Sequence, residues 1–481
     1  MYFSLSLHAK QIRSKGSSKK MERKKAIIRD LTNGSVPKTL LTFSLPLVLS
    51  GLLQMVYNMV DMIVVDRFAG TKGLSAVSIG GEVLMLITFV SMGFSNAGQI
   101  LISRYVGENR KDRIGEMVGT LFTLLMSLAV VIMIAFLFLH DNVIDWLNTP
   151  DDIKVYTREY SVTCVYGVIF IYGYNLVSAI LRGMGDSRHP FIFIAIASVI
   201  NVVLDILFVG PMDMGPRGAA LATVIGQAVS FLFALRLLYK NRAQIHFDFH
   251  PSHFRISPRV IRPLMSLGIP MVIQSAAITF SMLFVNSFIN QYGKEAVAVT
   301  GVARKLENMI GVVSQAISSA GGAMVSQALG ARKTDRVPKI FGHALWIVAI
   351  PAGIFALITG FHPEWLFGLF SSDPAVLDLA VTYIPVAMIQ YAGATLRPAS
   401  FALINGSGHS GLNLSVALLA GVFCRIGLSL LLGVALGMGI TGFWYGNALS
   451  GTVPFLIGFT YLLSRRWNRV PAQKKGETPD D

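Results

Sequence analysis

The stretch LLTFSLPLVLSGLLQMVYNMVDMIVVDRF, residues 40–68, decides the fold. A helix needs about 20 apolar residues to cross roughly 30 Å of hydrocarbon, and this run supplies them. It also carries Asp61, Asp66, Gln54 and Asn58. A carboxylate at the centre of a membrane span costs roughly 3 kcal/mol on insertion scales, so Asp61 marks a functional site by default.

The rest of the chain repeats the pattern. Of 481 residues, 53% are hydrophobic and 14% charged, against roughly 25% charged in soluble domains. Spans are expected near 40–65, 74–103, 114–139, 159–181, 190–210, 219–239, 263–290, 296–326, 338–361, 376–404, 412–434 and 441–463. The fold class is therefore an all-α integral membrane protein of twelve transmembrane helices.

The net charge of +15 would suggest nucleic acid if it formed a patch on a soluble domain. Instead it is sorted by the spans. With the N-terminus inside, 31 Lys and Arg fall on one side and six on the other, namely Arg67, Lys72, Lys154, Arg158, Arg217 and Lys294. That bias puts both termini in the cytoplasm of a multi-pass cell-membrane protein. No nucleic-acid partner is needed. Residues 1–36 read as a basic cytoplasmic tail. Their MYFSLSLHA start has the wrong order for a cleaved signal, and Met21 is an alternative start. Cys164 and Cys424 fall within spans and read as buried free thiols.

The two halves match at an offset of 223 or 224 residues. LPLVLSG (45–51) pairs with IPMVIQS (269–275), SRYVGENRKDR (103–113) with SQALGARKTDR (326–336), and AILRGMGDS (179–187) with ALINGSGHS (402–410). MGPRGAALATVIGQAVSFL (214–232) pairs with MGITGFWYGNALSGTVPFL (438–456). Six spans per repeat is an even number, so the lobes are parallel-related, the arrangement of transporters that bind at the midplane and alternate access. The N-terminal lobe is expected at 37–240, a basic linker at 241–262, the C-terminal lobe at 263–464 and a tail at 465–481.

Gln54, Asn58 and Asp61 share one helix face, as do Asn201 and Asp205 in NVVLDILF. Asp61, Asp205 and Thr223 are expected at similar depth in the outer half of the first lobe, with Asn175 a turn or two deeper. Two carboxylates among amides and a hydroxyl can take and release a proton or coordinate a hard cation such as Na+. Asn175, Asn201 and Thr223 would each serve equally as interhelical glue. The aspartates would not, because a neutral amide packs at lower cost. The offset maps Asp205 to Leu428 or Ser429 and Asp61 to Phe284 or Val285, so the second lobe does not repeat this chemistry. Its polar groups are Gln274, Asn286, Gln315 and Gln390, with Glu307 read as paired with Arg304 and Lys305. Met55, Tyr57, Met59, Phe89, Phe280 and Met282 are candidate walls of a plastic, promiscuous cavity.

These residues resemble the multidrug and toxic compound extrusion (MATE) family, and its DinF-like branch in particular. The carriers are the opening stretch, LISRYVGENRKDR, SAILRGMGDSRHP with NVVLDILFV, and MGPRGAALAT. The resemblance implies two six-helix lobes around a V-shaped cavity. It also implies export of cationic or amphipathic compounds against inward Na+ or H+, through Asp61, Asn175, Asn201, Asp205 and Thr223. Gln54 and Asn58 are auxiliary candidates. No organic cofactor and no enzymatic activity are implied; the partners are drug-like compounds and membrane lipids, and the protein would act as a monomer. The sequence lacks the acids that the NorM-like branch carries on its seventh and tenth helices. It also departs at Asp66, where relatives often have a small residue. Two other readings compete. A lipid-linked oligosaccharide flippase of the same superfamily would use Arg397, Arg425 and Arg304. An intramembrane aspartyl protease would use the GMGD motif ending at Asp186, but no partner YD appears on a neighbouring span.

Overall fold

The computed structural model describes residues 27–468. Most of the expected basic tail (1–36) and C-terminal tail (465–481), and the question of Met1 or Met21, lie outside the described residues. The described chain is helical and has no strand.

Helices α1 (36–69) and α2 (71–107) run on from one another with a kink at Gly70, whose φ of 66° lies in the left-handed region that a side chain disfavours. Helix α3 is Lys111–Trp146, and α4 is Asp151–Tyr166 plus Val168–Gly183, bent by 48°. Next come α5 (Arg188–Val209), α6 (Gly215–Lys240), α7 (Pro258–Ile289), α8 (Lys294–Gly330), α9 (Arg336–Phe361) and α10 (Pro374–Ser407). The last two spans are α11 (Ser410–Ala435) and α12, the latter split into Gly439–Ser450 and Val453–Leu463. Twelve spans result, each close to its expected position. Several are longer than expected: α3 has 36 residues, about 54 Å at 1.5 Å per residue. Helices continue into water past the hydrocarbon edge, where hydropathy no longer marks them.

Two large hydrophobic cores form, one per lobe, with a smaller third cluster in the N-terminal lobe, and α1 and α7 each pack into both lobes. Near its start α1 places Val36, Leu40 and Phe43 in the C-terminal core. Its far half places Val64 and Val65 against Tyr160, Cys164 and Val209 of the N-terminal lobe. Conversely, Val260, Leu264, Leu267 and Met271 of α7 lie in the N-terminal core, while Val285 and Ile289 lie in the C-terminal one.

The lobes close on each other at the end that carries the basic turns. There Gly107 and Gly330, equivalent positions in the repeat, let the backbones of α2 and α8 touch. A Cβ on Gly107 would stand 2.2 Å from the Gln327 carbonyl oxygen, and one on Gly330 2.4 Å from that of Arg104. Ser326 donates to the Ile100 carbonyl at 2.8 Å, and Gln99 Nε2 to the Ser319 carbonyl at 3.1 Å. Residues 27–34 strap this seam. The Arg29 amide donates to the Met184 carbonyl of the first lobe at 2.7 Å, and the Leu31 amide to Gln327 Oε1 of the second at 3.0 Å. Lys333 Nζ then donates to the Thr32 carbonyl, Thr32 Oγ1 and Asn33 Oδ1 at 3.3, 3.1 and 2.6 Å.

The stretch between the lobes is no loose tether. It contains the short helix Arg242–Ile245 and a knot of Phe247, Phe249 and Phe254 on Phe122 of α3, with neighbouring ring centroids 4.9 to 6.3 Å apart. Its end is tied down where the Ser257 amide donates to Thr120 Oγ1 at 3.1 Å.

Candidate functional site

Asp61 and Asp205 meet between α1 and α5, far from the closed seam. Asp205 is fully buried, and Asp61 and Asn201 are 9% and 4% exposed. The two carboxyl groups lie within hydrogen-bonding reach of each other. Asn201 Nδ2 donates to Thr223 Oγ1 of α6 at 3.3 Å, which uses an amide donor and leaves its oxygen bare. The result is four buried acceptors with no protein hydrogen-bond partner: Asp61 Oδ1, Asn201 Oδ1 and both oxygens of Asp205. Among the described residues no Lys, Arg or His pairs with either acid. An unmade hydrogen bond on a buried group costs about 1–3 kcal/mol, and more on a charged one. A nest made only of acceptors suits a proton held between the carboxylates, or a hard cation.

The structure does not treat every expected residue alike. Asn175, half-buried on α4, donates to Ser91 Oγ at 3.5 Å rather than to either acid. Gln54 and Asn58 are exposed while Asp61 is buried, and Gln54 Nε2 reaches the Tyr57 hydroxyl at 3.4 Å. Tyr57, one turn before Asp61, is itself close enough to feel both acids, as Tyr160 and Cys164 of α4 feel Asp61. Gln227, one turn beyond Thr223, adds another buried bare acceptor; its i+4 spacing from Thr223 was the available signal. Asp66 is exposed, as a rim residue should be. Cys164 is buried and free, but Cys424 is only half-buried.

Glu307 requires a correction. Its ion partner is Arg397 of α10, with Nη2 to Oε1 at 3.3 Å, not Arg304 or Lys305. Gln390 Nε2 donates to its other oxygen. Lys305, two residues away and therefore on another helix face, lies instead over the Phe370 ring at 5.3 Å.

A cavity of about 160 Å³ lies away from the acids. It lies where the lobes converge, lined by Asn96, Gln99, Gln274, Gln315, Ser319 and Asn405 among others. Gln99 is fixed there by Arg182, whose Nε donates to its Oε1 at 2.7 Å. Asn96, Gln99 and Ser319 escape a sequence reading because single amides and hydroxyls in a span look like packing. Asp186, of the GMGD motif, is wholly buried outside the spans. It accepts from the amides of Arg188 and His189 at 3.1 and 3.4 Å and from the His189 ring, an anchor for the first turn of α5.

Comparison with known proteins agrees with this architecture. The MatE family model matches residues 46–207 and 270–431, one copy in each lobe and at the repeat spacing. The chain is 27% identical over 355 residues to the probable multidrug resistance protein YpnP of Bacillus subtilis, covering 74% of this chain and 79% of that protein. It is 21% identical over 441 residues to the probable multidrug resistance protein NorM of Thermotoga maritima, covering 90% and 94%. A solved structure described as the outward-facing conformation of a multidrug resistance MATE family transporter superposes with a TM-score of 0.84 at 22% identity, over 90% of this chain and 97% of that one. That last likeness is one of fold.

Proposed function

We propose that this chain, which belongs to the MatE family, is a secondary active exporter of drug-like organic compounds, driven by inward H+ or Na+ bound at Asp61 and Asp205. The observation that carries the reading is the nest of four buried acceptors with no protein donor. A packing motif has no use for two such carboxylates, since amides would serve at lower cost. The printed names of the relatives supply the cargo class.

The charge bias of the loops supports a cytoplasmic position for the closed seam and for both termini. The cavity then faces outward, and the seam must part to load cargo from within. Helix α1 is suited to link ion and seam. It carries Asp61 in its far half and packs Val36, Leu40 and Phe43 into the opposite lobe. Neutralising the acid pair changes how α1 sits on α5, and a tilt there is felt at the seam.

The test is efflux of ethidium from proteoliposomes with a Na+ or a H+ gradient imposed separately. Wild type should respond to at least one gradient, and Asp61→Asn and Asp205→Asn should insert yet lose the response. Full gradient-driven efflux in both variants would overturn the assignment.

A further inference from the structure

The second lobe carries a buried cation where the first carries a neutral amide of its acid nest. At the 224-residue spacing of the two matched segments, Asn201 corresponds to Arg425. Helix α11 winds as a π-helix over Ala417–Cys424 and again over Leu431–Ala435, and Arg425 stands directly after the first of these; such irregular turns gather at functional sites. Arg425 is 7% exposed. It spends two of its five N–H groups on the protein, Nε on Ser450 Oγ at 3.2 Å and Nη1 on the Ile278 carbonyl at 3.3 Å. Arg397 lies near enough to repel it and spends one N–H on Glu307. Of the two guanidiniums only that of Arg397 pairs with the carboxylate, which Gln390 also holds, while Arg425 lines the same cavity and has no ion-pair partner among the described residues.

These groups surround space. Two cavities, of about 40 and 30 Å³, are both lined by Arg397, Arg425 and Ile278. The smaller one shares Gln274, Ile278 and Phe401 with the 160 Å³ central cavity. A water needs about 10–15 Å³ on this measure, so the arginine cavity has room for a compact acidic group but not for a drug-sized body.

We propose that Arg397 and Arg425 form an anion-binding subsite of the C-terminal lobe. It takes the carboxylate, sulfonate or phosphate of a cargo molecule whose apolar body lies in the central cavity. The compounds that fit best are then organic anions and zwitterions rather than simple cations. Glu307 acts as an internal stand-in, holding Arg397 until the cargo's acid displaces it. Charge-assisted pairing to a planar guanidinium fork is what such an acid requires. The assignment rests on the transport reading only in taking the acid to be part of a cargo.

The test is equilibrium dialysis with the purified full-length protein and no gradient. Two ligands of matched body, naphthalene-2-sulfonate and 2-naphthyltrimethylammonium, are compared, with inorganic sulfate as a third arm. Wild type should bind the sulfonate more tightly than the ammonium. Arg397→Gln and Arg425→Gln should each weaken the sulfonate about ten-fold or more and leave the ammonium unchanged or improved. Glu307→Gln should tighten the sulfonate several-fold, a gain that misfolding cannot imitate. Unaltered sulfonate affinity in Arg397→Gln, or weakened affinity in Glu307→Gln, overturns the subsite. Sulfate binding as tightly as the sulfonate overturns the assignment to cargo. Asp205→Asn should retain sulfonate binding while losing gradient-driven efflux, so failure of the ion site and failure of this subsite give different results.

Discussion

Replacing Asp205 by Asn should stabilise the ion-free protein while abolishing its function. Asp205 is fully buried and neither of its oxygens has a hydrogen-bond partner. Asn has the same shape, removes the charge, and turns one acceptor into a donor facing Asp61, whose Oδ1 is also bare. Relieving one buried unsatisfied group is worth about 1–3 kcal/mol. In wild type the coupling ion should supply the same relief by linkage, about 2.7 kcal/mol at a concentration 100 times its Kd. Thermal unfolding in detergent is therefore run over a Na+ series at fixed pH and over a pH series without Na+. Wild type should start lower and climb with the coupling ion, whereas Asp205→Asn should start higher and stay flat. The difference between the two slopes is the readout, since a chain of this size need not unfold in one step. Proteoliposome efflux is measured on the same samples. A variant that is less stable than wild type without ion, or that keeps the ion-dependent climb together with coupled efflux, refutes the reasoning.

Other outcomes follow from the closed end. Gly107→Val or Gly330→Val forces a side chain into the opposing backbone, so the seam should open at a cost of about 1–3 kcal/mol; spin labels at Asn109 and Arg332 should report a longer distance, and an unchanged distance would count against the contact. Lys333→Ala removes three of the hydrogen bonds that hold the strap. Amide exchange over residues 27–34 should quicken while that of the α3 core around Leu121 stays slow, and equal protection in both proteins would contradict the strap. For Asp186, burial by itself pushes the carboxyl up, but the His189 hydrogen bond and charge, followed by Arg29, outweigh it and hold the group below its ordinary value. Its stabilisation is then complete above the unfolded value of about 4 and fades as pH falls through the lower folded value. Thermal stability should drop as pH falls below about 4, and the drop should shrink in Asp186→Asn, which starts lower at pH 7; an unchanged profile would remove Asp186 from the account.

The twelve spans and the duplication were legible in the sequence because each depends on a local or strictly periodic signal. An apolar run of sufficient length has no other stable home than a bilayer or a large core, and an even span count makes the two halves parallel. Asp61 and Asp205 were legible for a similar reason: a carboxylate is so costly in a span that its presence needs no partner to be noticed. What surrounds them was not. Tyr57 and Gln227 at the acids, and Asn96 and Gln99 at the cavity, are individually cheap and look like packing until the helices are docked.

Partner choice was equally hidden. Glu307 has bases three and two residues away on its own helix, yet it pairs with Arg397 from α10 because helix rotation aims it across the lobe. The aromatic knot on Phe122 turns what reads as a polar linker into a docked segment. Sharing of α1 and α7 between the two lobes could not be read from hydropathy, which reports only that a residue is buried and not by what. The sequence by itself determined that this is a duplicated bundle with two unaffordable acids in its first half. Only the tertiary structure decided that those acids form one nest without donors, that Arg397 and Arg425 of the other lobe line the same small cavities, and that the lobes close at two glycines. Such choices depend on docking angles and side-chain direction across hundreds of residues, and no local pattern encodes them.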